Sequence, residues 1–180
     1  MIIGLVGKKF SGKDTCADYI ISRYGFYKLT FAHALKEICR YLFLLDEKQL
    51  YDPSLKEQKI ETWNLSPREI FQKIGTDLFR NHFDKDFWVK QFELRFMELS
   101  RSGKKNIVCS DCRYQNEADL IKKLGGTIIL IRRNNIDNND DHESEKLDIK
   151  NIDYIFENDQ SLQNLYSQID DFMKKKCIIK

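Results

Sequence analysis

The chain has 180 residues, 42% hydrophobic and 12% aromatic, which suits one globular domain with a sizeable core rather than a disordered segment. Thirty lysines and arginines against 28 aspartates and glutamates leave a net charge of +2, without the clustered basic excess of a nucleic-acid binder. No apolar run approaches the ~20 residues of a membrane span, and the chain opens on a strand-like run without a leader, so it is expected to stay in the cytosol where it is made.

That first run, Ile2-Ile3-Gly4-Leu5-Val6, leads into Gly7-Lys8-Lys9-Phe10-Ser11-Gly12-Lys13-Asp14-Thr15, after which a helical pattern begins near Asp14 and continues to Tyr24. Strand, glycine-bounded loop and helix are the context a phosphate-binding loop needs. Gly7 and Gly12 let the backbone curl so that several N–H groups face one anion. The helix adds its partially positive end, and Lys13 adds a full charge where β- and γ-phosphates would lie. The spacing is that of G-x-x-x-x-G-K, but Asp14 stands where Ser or Thr usually holds magnesium. The hydroxyl comes one residue later, at Thr15. Thr15 reads as an α-phosphate contact and Asp14 as a hydrogen-bond partner of metal-bound water. The alternative is a glycine-rich turn that binds nothing.

In the helix after the loop, Cys16, Ala17, Ile20 and Ile21 share an inner face, and Gly25 stops it. Tyr27 to Phe31 reads as a second strand. The next helix turns Leu35, Ile38, Cys39, Leu42 and Leu45 inward and leaves Lys36 and Arg40 off that stripe. Residues 46–65 read as irregular, broken at Pro53. Ser66-Pro67-Arg68-Glu69 then announces a helix with a capping box. Its expected core positions are Ile70, Phe71, Ile74 and Leu78, while Arg68, Gln72, Thr76 and Arg80 recur every fourth residue on another face. A helix over about Phe87 to Ser100 is expected to bury Val89, Phe92, Phe96 and Leu99. Strands at Asn106–Ser110, Thr127–Ile131 and Asp153–Glu157, and helices at Asn116–Leu124 and Ser161–Lys175, complete the alternation. The last helix is expected to turn Leu162, Leu165, Ile169 and Phe172 inward.

Such alternation predicts an α/β fold with a parallel sheet covered on both faces, with ligands beyond the C-terminal strand ends. The loop at Gly7, Asp111 after the third strand, and Arg132-Arg133 after the fourth all fall at such ends. Asp111 can hold magnesium or its waters or orient an acceptor, or can simply end a strand. Arg113 can meet a second phosphorylated ligand, and the 68–80 stripe offers guanidiniums for a phosphate and an amide for a base edge. Both also read as surface positions. Arg132-Arg133 stand where charge develops in phosphoryl transfer, ahead of a polar loop, Asn134 to Glu145, that can close as a lid. Cys16, Cys39 and Cys109 fall in apolar positions and read as reduced, buried thiols. Cys109-x-x-Cys112 lacks the second pair a structural metal site would use.

Several of these segments resemble the phage and giant-virus deoxynucleoside monophosphate kinases. They are the Ser11-Gly12-Lys13-Asp14-Thr15 loop with Ala17-Asp18, Phe31-Ala32 with Lys36, and the run from Ser66 through Gly75-Thr76 to Arg80. Ser110-Asp111-x-Arg113-x-x-Asn116-Glu117, Gly125-Gly126, Asp141-His142-x-Ser144-Glu145 and Asn158 to Leu162 extend the likeness over about residues 1–172. The resemblance implies a P-loop nucleoside-monophosphate-kinase-like fold: a five-stranded parallel sheet with helices on both faces. It also implies one kinase domain over 1–180, with a helical monophosphate-binding region at about 32–101 and a lid at about 132–146. It implies ATP and Mg²⁺. Gly7, Lys8, Lys9, Ser11, Gly12, Lys13, Asp14, Thr15 and Arg132 would hold ATP, and Asp14, Thr15 and Asp111 the metal, directly or through water. Lys36, Arg68, Gln72, Thr76, Arg80, Asp111 and Arg113 would surround a deoxynucleoside monophosphate. Lys13, Arg132 and Asp111 would carry the catalysis. Dephospho-coenzyme A kinases and phosphomevalonate kinases have related loops, and a non-catalytic ATP-binding module remains a further alternative. No nucleic acid or membrane partner is expected, and monomer and homodimer both remain open.

Overall fold

The computed structural model describes residues 1–134 and 148–176. Two compact units divide the chain, Met1–Thr30 with Arg95–Lys180, and Phe31–Leu94. The first holds a five-stranded sheet in the order β2-β3-β1-β4-β5, built from β1 (Ile2–Val6), β2 (Tyr27–Lys28), β3 (Ile107–Cys109), β4 (Thr127–Arg132) and β5 (Tyr154–Glu157). All four neighbouring pairs are parallel. β1 lies between β3 and β4, which is why its sequence is apolar at every position except one glycine: both of its faces are covered.

One face is closed by helices α1 (Lys13–Tyr24) and α7 (Leu162–Lys175). Ile3 and Leu5 of β1 meet Cys16, Ala17 and Ile20 of α1 and Leu165, Ile169 and Phe172 of α7 in a single buried cluster. Each fully buried aliphatic there contributes about 1.5–3 kcal/mol. The hydroxyls of Tyr19 and Tyr24 both donate to the Asp170 carboxylate, at 2.9 and 2.6 Å, and the Tyr19 ring stacks on Tyr166, tying the two helices together. On the other face α6 (Gln115–Lys123) lies so close to β1 that a Cβ at Gly4 would come within 2.6 Å of Ile121 Cδ1.

The second unit carries α2 (Ala32–Phe43), α3 (Glu47–Tyr51), α4 (Pro67–Gln72), a π-helical continuation over Lys73–Phe83, and the start of α5 (Phe87–Arg101). Leu35, Cys39, Leu45, Leu50, Ile70 and Trp88 form its core, and Phe31 stacks on Phe92 with ring centroids 4.2 Å apart.

Five local expectations need correction. The second strand pairs only at Tyr27–Lys28. The Leu29 amide still donates to the Val108 carbonyl, but Phe31 takes the N-cap position of α2, with helical backbone angles, instead of extending the sheet. Residues 46–65 are not wholly irregular, because Asp46 and Gln49 form a reciprocal capping box that starts the short α3. The helix begun at Ser66 does open with its capping box, yet after Gln72 it widens into π turns. A π turn takes more than four residues, so the inward position after Ile74 moves from Leu78 to Phe79. Leu78 is 51% exposed while Phe79 packs on the core. Trp88 rather than Val89 is the buried anchor at the head of α5. Leu42 and Leu162, expected inward, are exposed near the ends of their helices.

Candidate active site

Two left-handed glycines shape the loop after β1. Gly12 has φ +102°, and Gly7 lies so close under the sheet that a Cβ would meet the Ile131 carbonyl at 2.5 Å. Gly12 is also the N-cap of α1 and makes no side-chain cap, and the partially positive amino end of such a helix suits an anion. The tip residue Phe10 adopts φ +62° and is largely exposed, with the Lys9 ammonium 5.0 Å from its ring centre. Inside the loop the Ser11 Oγ is buried and, among the described residues, finds no hydrogen-bond partner. A phosphate oxygen would satisfy such a donor. Lys13 folds back over the loop, its Nζ donating to the carbonyls of Gly7 at 2.8 Å and Lys8 at 2.7 Å.

Asp14, in the first turn of α1, accepts from Lys28 Nζ at 3.1 Å and from the Ser110 hydroxyl at 2.8 Å. Burial alone would raise its carboxyl. The Lys28 charge, the hydrogen bonds from Ser110 and Lys28, and the Lys13 charge outweigh burial and hold it below the ordinary value. Lys28 in turn has a raised pKa, because Asp14 and then Asp18, 3.6 Å away, outweigh its own desolvation. The Ser110 contact joins the end of β3 to the helix that follows the loop. Thr15 is half-buried on the same first turn of α1. Asp111, half-buried next to Ser110, accepts from the Cys109 thiol. Arg113 stands where the chain turns into α6, its amide donating to the buried Glu117 carboxylate at 2.8 Å.

At the opposite side of the loop, Arg132 ends β4 in register with Glu157 of β5, and the two side chains form a forked ion pair. Arg133 Nη1 donates to the Phe10 carbonyl at 3.4 Å. Beyond Asn134 the lid expected over about 132–146, with His142 and Glu145, lies outside the described residues.

In the second unit, Lys36 of α2 places its ammonium 4.1 Å from the centre of the Tyr51 ring, and Arg68 Nε pairs with Glu57 at 2.6 Å. Gln72 is half-buried at the end of α4. Thr76 and Arg80 are only 5% and 7% exposed, so this stripe is not a solvated helix face along its whole length. Arg80 Nη1 holds the Lys85 carbonyl at the turn into α5. Nearby, the buried Trp88 Nε1–H donates to the Gly75 carbonyl at 2.8 Å, and a Cβ at Gly75 would press on Leu35 at 2.6 Å.

All four described cysteines are free and buried. Burial pushes the Cys16 and Cys39 thiols up to about 12 and raises Cys109 and Cys112 well above the usual thiol range, which keeps them protonated and poor metal ligands.

The sequence profile of the deoxynucleotide monophosphate kinase family matches residues 1–65 and 54–169. A putative deoxynucleotide monophosphate kinase of Acanthamoeba polyphaga mimivirus is 40% identical over 94% of both chains. The chain belongs to the deoxynucleotide monophosphate kinase family. A second member, the deoxynucleotide monophosphate kinase of Enterobacteria phage T4, is 27% identical over 96% of this chain and 98% of its own. The fold is shared more widely. The Thermus thermophilus protein TT1252 superposes with a TM-score of 0.52 at 18% identity, over 97% of each chain. As a member of the deoxynucleotide monophosphate kinase family, the chain is a phosphotransferase.

None of the sequence motifs includes Lys28, Glu157 or Trp88. Each acts on a partner distant in sequence (Asp14, Arg132 and Gly75), and no local pattern marks such a pairing.

Proposed function

We propose that the chain transfers the γ-phosphate of ATP to a deoxynucleoside 5′-monophosphate, yielding ADP and the diphosphate, in the cytosol of its host cell. The observation that carries the reading is the Gly7–Thr15 loop: a helix start without a side-chain cap, a buried Ser11 hydroxyl that finds no partner among the described residues, and Lys13 folded back over them. These groups suit a triphosphate tail and bind it through backbone donors that need no rearrangement. Lys13 exchanges its contacts with the loop carbonyls for the transferring phosphoryl group, and Arg132 adds charge from the end of β4. Lys36, Arg68, Gln72, Thr76 and Arg80, with Asp111 and Arg113, receive the monophosphate. The chemistry is alignment and charge neutralisation, with no covalent enzyme intermediate.

The residues present fit magnesium. Mg²⁺ is commonly bound through one or two carboxylates plus phosphates and retained waters, and Asp14 is an ionised, fixed and largely exposed carboxylate beside the loop. Asp14, Thr15 and Asp111 would hold the ion, directly or through its waters. When bound, it supplies positive charge to the phosphate oxygens.

A coupled ADP-release assay over deoxy- and ribonucleoside monophosphates, with dephospho-coenzyme A and phosphomevalonate as competing acceptors, tests this reading. Release that depends on a deoxynucleoside monophosphate, and that falls by about 10²–10³-fold in a folded Lys13→Ala variant, is expected. Release that requires another acceptor would overturn the substrate assignment. Tight ATP binding without acceptor-dependent release would favour the binding-module alternative.

A further inference from the structure

The turn that follows β5 reaches the phosphate loop. Asn158 Nδ2 donates to the Ser11 carbonyl at 2.8 Å, and a Cβ on Gly12 would come within 2.4 Å of that same nitrogen. Gly12 therefore has no side chain for two reasons: its left-handed backbone and the Asn158 amide pressed against it. Asn158 is itself held, because its backbone N–H donates to the Arg132 carbonyl at 2.8 Å. Its two neighbours are held as well. Gln168 of α7 clasps both backbone groups of Glu157, at 2.9 Å each, and the Asp159 carboxylate accepts from the Asn134 amide at 2.8 Å.

Carbonyls of the loop are thus engaged from several sides. Gly7 and Lys8 are taken by Lys13, Phe10 by Arg133, and Ser11 by Asn158. A backbone whose carbonyls are held is fixed in its course, and successive N–H groups fixed in a turn can form the concavity that binds an anion. Lys13 must surrender its two carbonyls if it is to act on a phosphate. The Asn158 contact makes no such demand, since a neutral amide has no call on the phosphoryl group being transferred.

We infer that Asn158 is a positioning residue for the donor nucleotide, its side-chain amide fixing the Ser11 carbonyl so that the loop amides are pre-set for the phosphate chain. This rests on the reading of the Gly7–Thr15 loop as the ATP site. It assigns the turn after β5 a role in donor binding separate from the acceptor residues.

The test compares full-length wild type with Asn158→Ala, Asn158→Asp and Gln168→Ala. ATP affinity is measured by calorimetry with magnesium, both Michaelis constants by steady-state kinetics, and folding by thermal unfolding. Loss of one neutral hydrogen bond predicts an ATP Kd and KM about five- to tenfold higher in Asn158→Ala, with the monophosphate KM within about twofold of wild type. Asn158→Asp, nearly the same size, should lose more, because a carboxylate would face the Ser11 carbonyl. Gln168→Ala, which loosens the same turn without touching the loop, should lower the melting temperature while leaving the ATP Kd within about twofold. Wild-type ATP affinity in Asn158→Asp, an equal rise in both Michaelis constants, or the same ATP loss in Gln168→Ala would each overturn the inference. Wild-type protein that fails to bind ATP would overturn the functional reading and this inference with it. Should Asn158→Ala not fold, the near-isosteric Asn158→Asp decides the outcome alone.

Discussion

Lys28 Nζ lies 3.1 Å from the Asp14 carboxylate, so the residue that replaces the usual hydroxyl after the loop lysine is paired with a cation from β2. Lys28 and a metal ion would compete for the same negative charge. Removing Lys28 should therefore strengthen magnesium binding, and removing the carboxylate should weaken it. Lys28→Met is expected to lower the magnesium concentration for half-maximal turnover, and Asp14→Asn to raise it, each by about fivefold for a partly screened pair near the surface. A magnesium titration at saturating nucleotide checks both. Midpoints that move in the same direction, or not at all, would take Asp14 out of the metal site.

Arg132 poses the complementary question on the other side of the loop. Its forked pairing with Glu157 occupies the guanidinium, and both groups are exposed. For Arg132 to act on phosphate it must let Glu157 go. Arg132→Ala should then cut kcat by about 10²-fold, the usual loss for one transition-state donor. Glu157→Gln removes only the competitor and should leave kcat intact while lowering the ATP KM by up to about fivefold. Full activity in Arg132→Ala would leave the pair as a strand-end clasp and nothing more.

The two halves of the chain were unequally legible. Around the loop the sequence carries its own geometry. Glycines at 7 and 12, an apolar strand before them and a helix after them permit few backbone paths, and the parallel sheet follows from strands alternating with helices. In the stretch from Ser66 to Phe83 the cap was readable because Ser66 and Glu69 are three residues apart, but the π turns were not. Those turns accompany contacts with residues distant in sequence: Leu35 against Gly75, and the Trp88 indole on the Gly75 carbonyl. A one-residue change of period there moved Leu78 out and Phe79 in. The pairings of Asp14 with Lys28 and of Ser11 with Asn158 were hidden for the same reason, since topology rather than spacing brings them together.

The Trp88–Gly75 hydrogen bond makes the π segment testable. Trp88→Phe keeps a ring in the core but strands a buried carbonyl, at a cost of about 1–3 kcal/mol. Thr76 and Arg80 sit on the same π segment as Gly75, so the monophosphate KM should rise while the ATP KM stays near wild type. Urea unfolding with both Michaelis constants checks this. An unchanged monophosphate KM despite lost stability would mean that the π segment is a structural feature without a part in acceptor binding.

Asp153 gives a pH-dependent prediction well away from the chemistry. Its carboxylate accepts from Lys122 Nζ at 2.6 Å and from the Ile128 amide at 2.8 Å, and its own amide donates to the Ile128 carbonyl, so one residue fastens the start of β5 to β4 and α6. Burial alone would raise the carboxyl, but the Lys122 and Ile128 hydrogen bonds outweigh it and the pKa falls below the ordinary value. A carboxyl with a lower pKa folded than unfolded binds fewer protons in the native state, so its stabilisation is present above about pH 4 and is lost as pH falls through the folded value. Asp153→Asn should therefore cost about 1–2 kcal/mol at pH 7, measured by urea unfolding, and the gap from wild type should shrink as the pH approaches about 3. A gap of constant size from pH 7 to pH 3 would mean that Asp153 acts through its shape and not its charge.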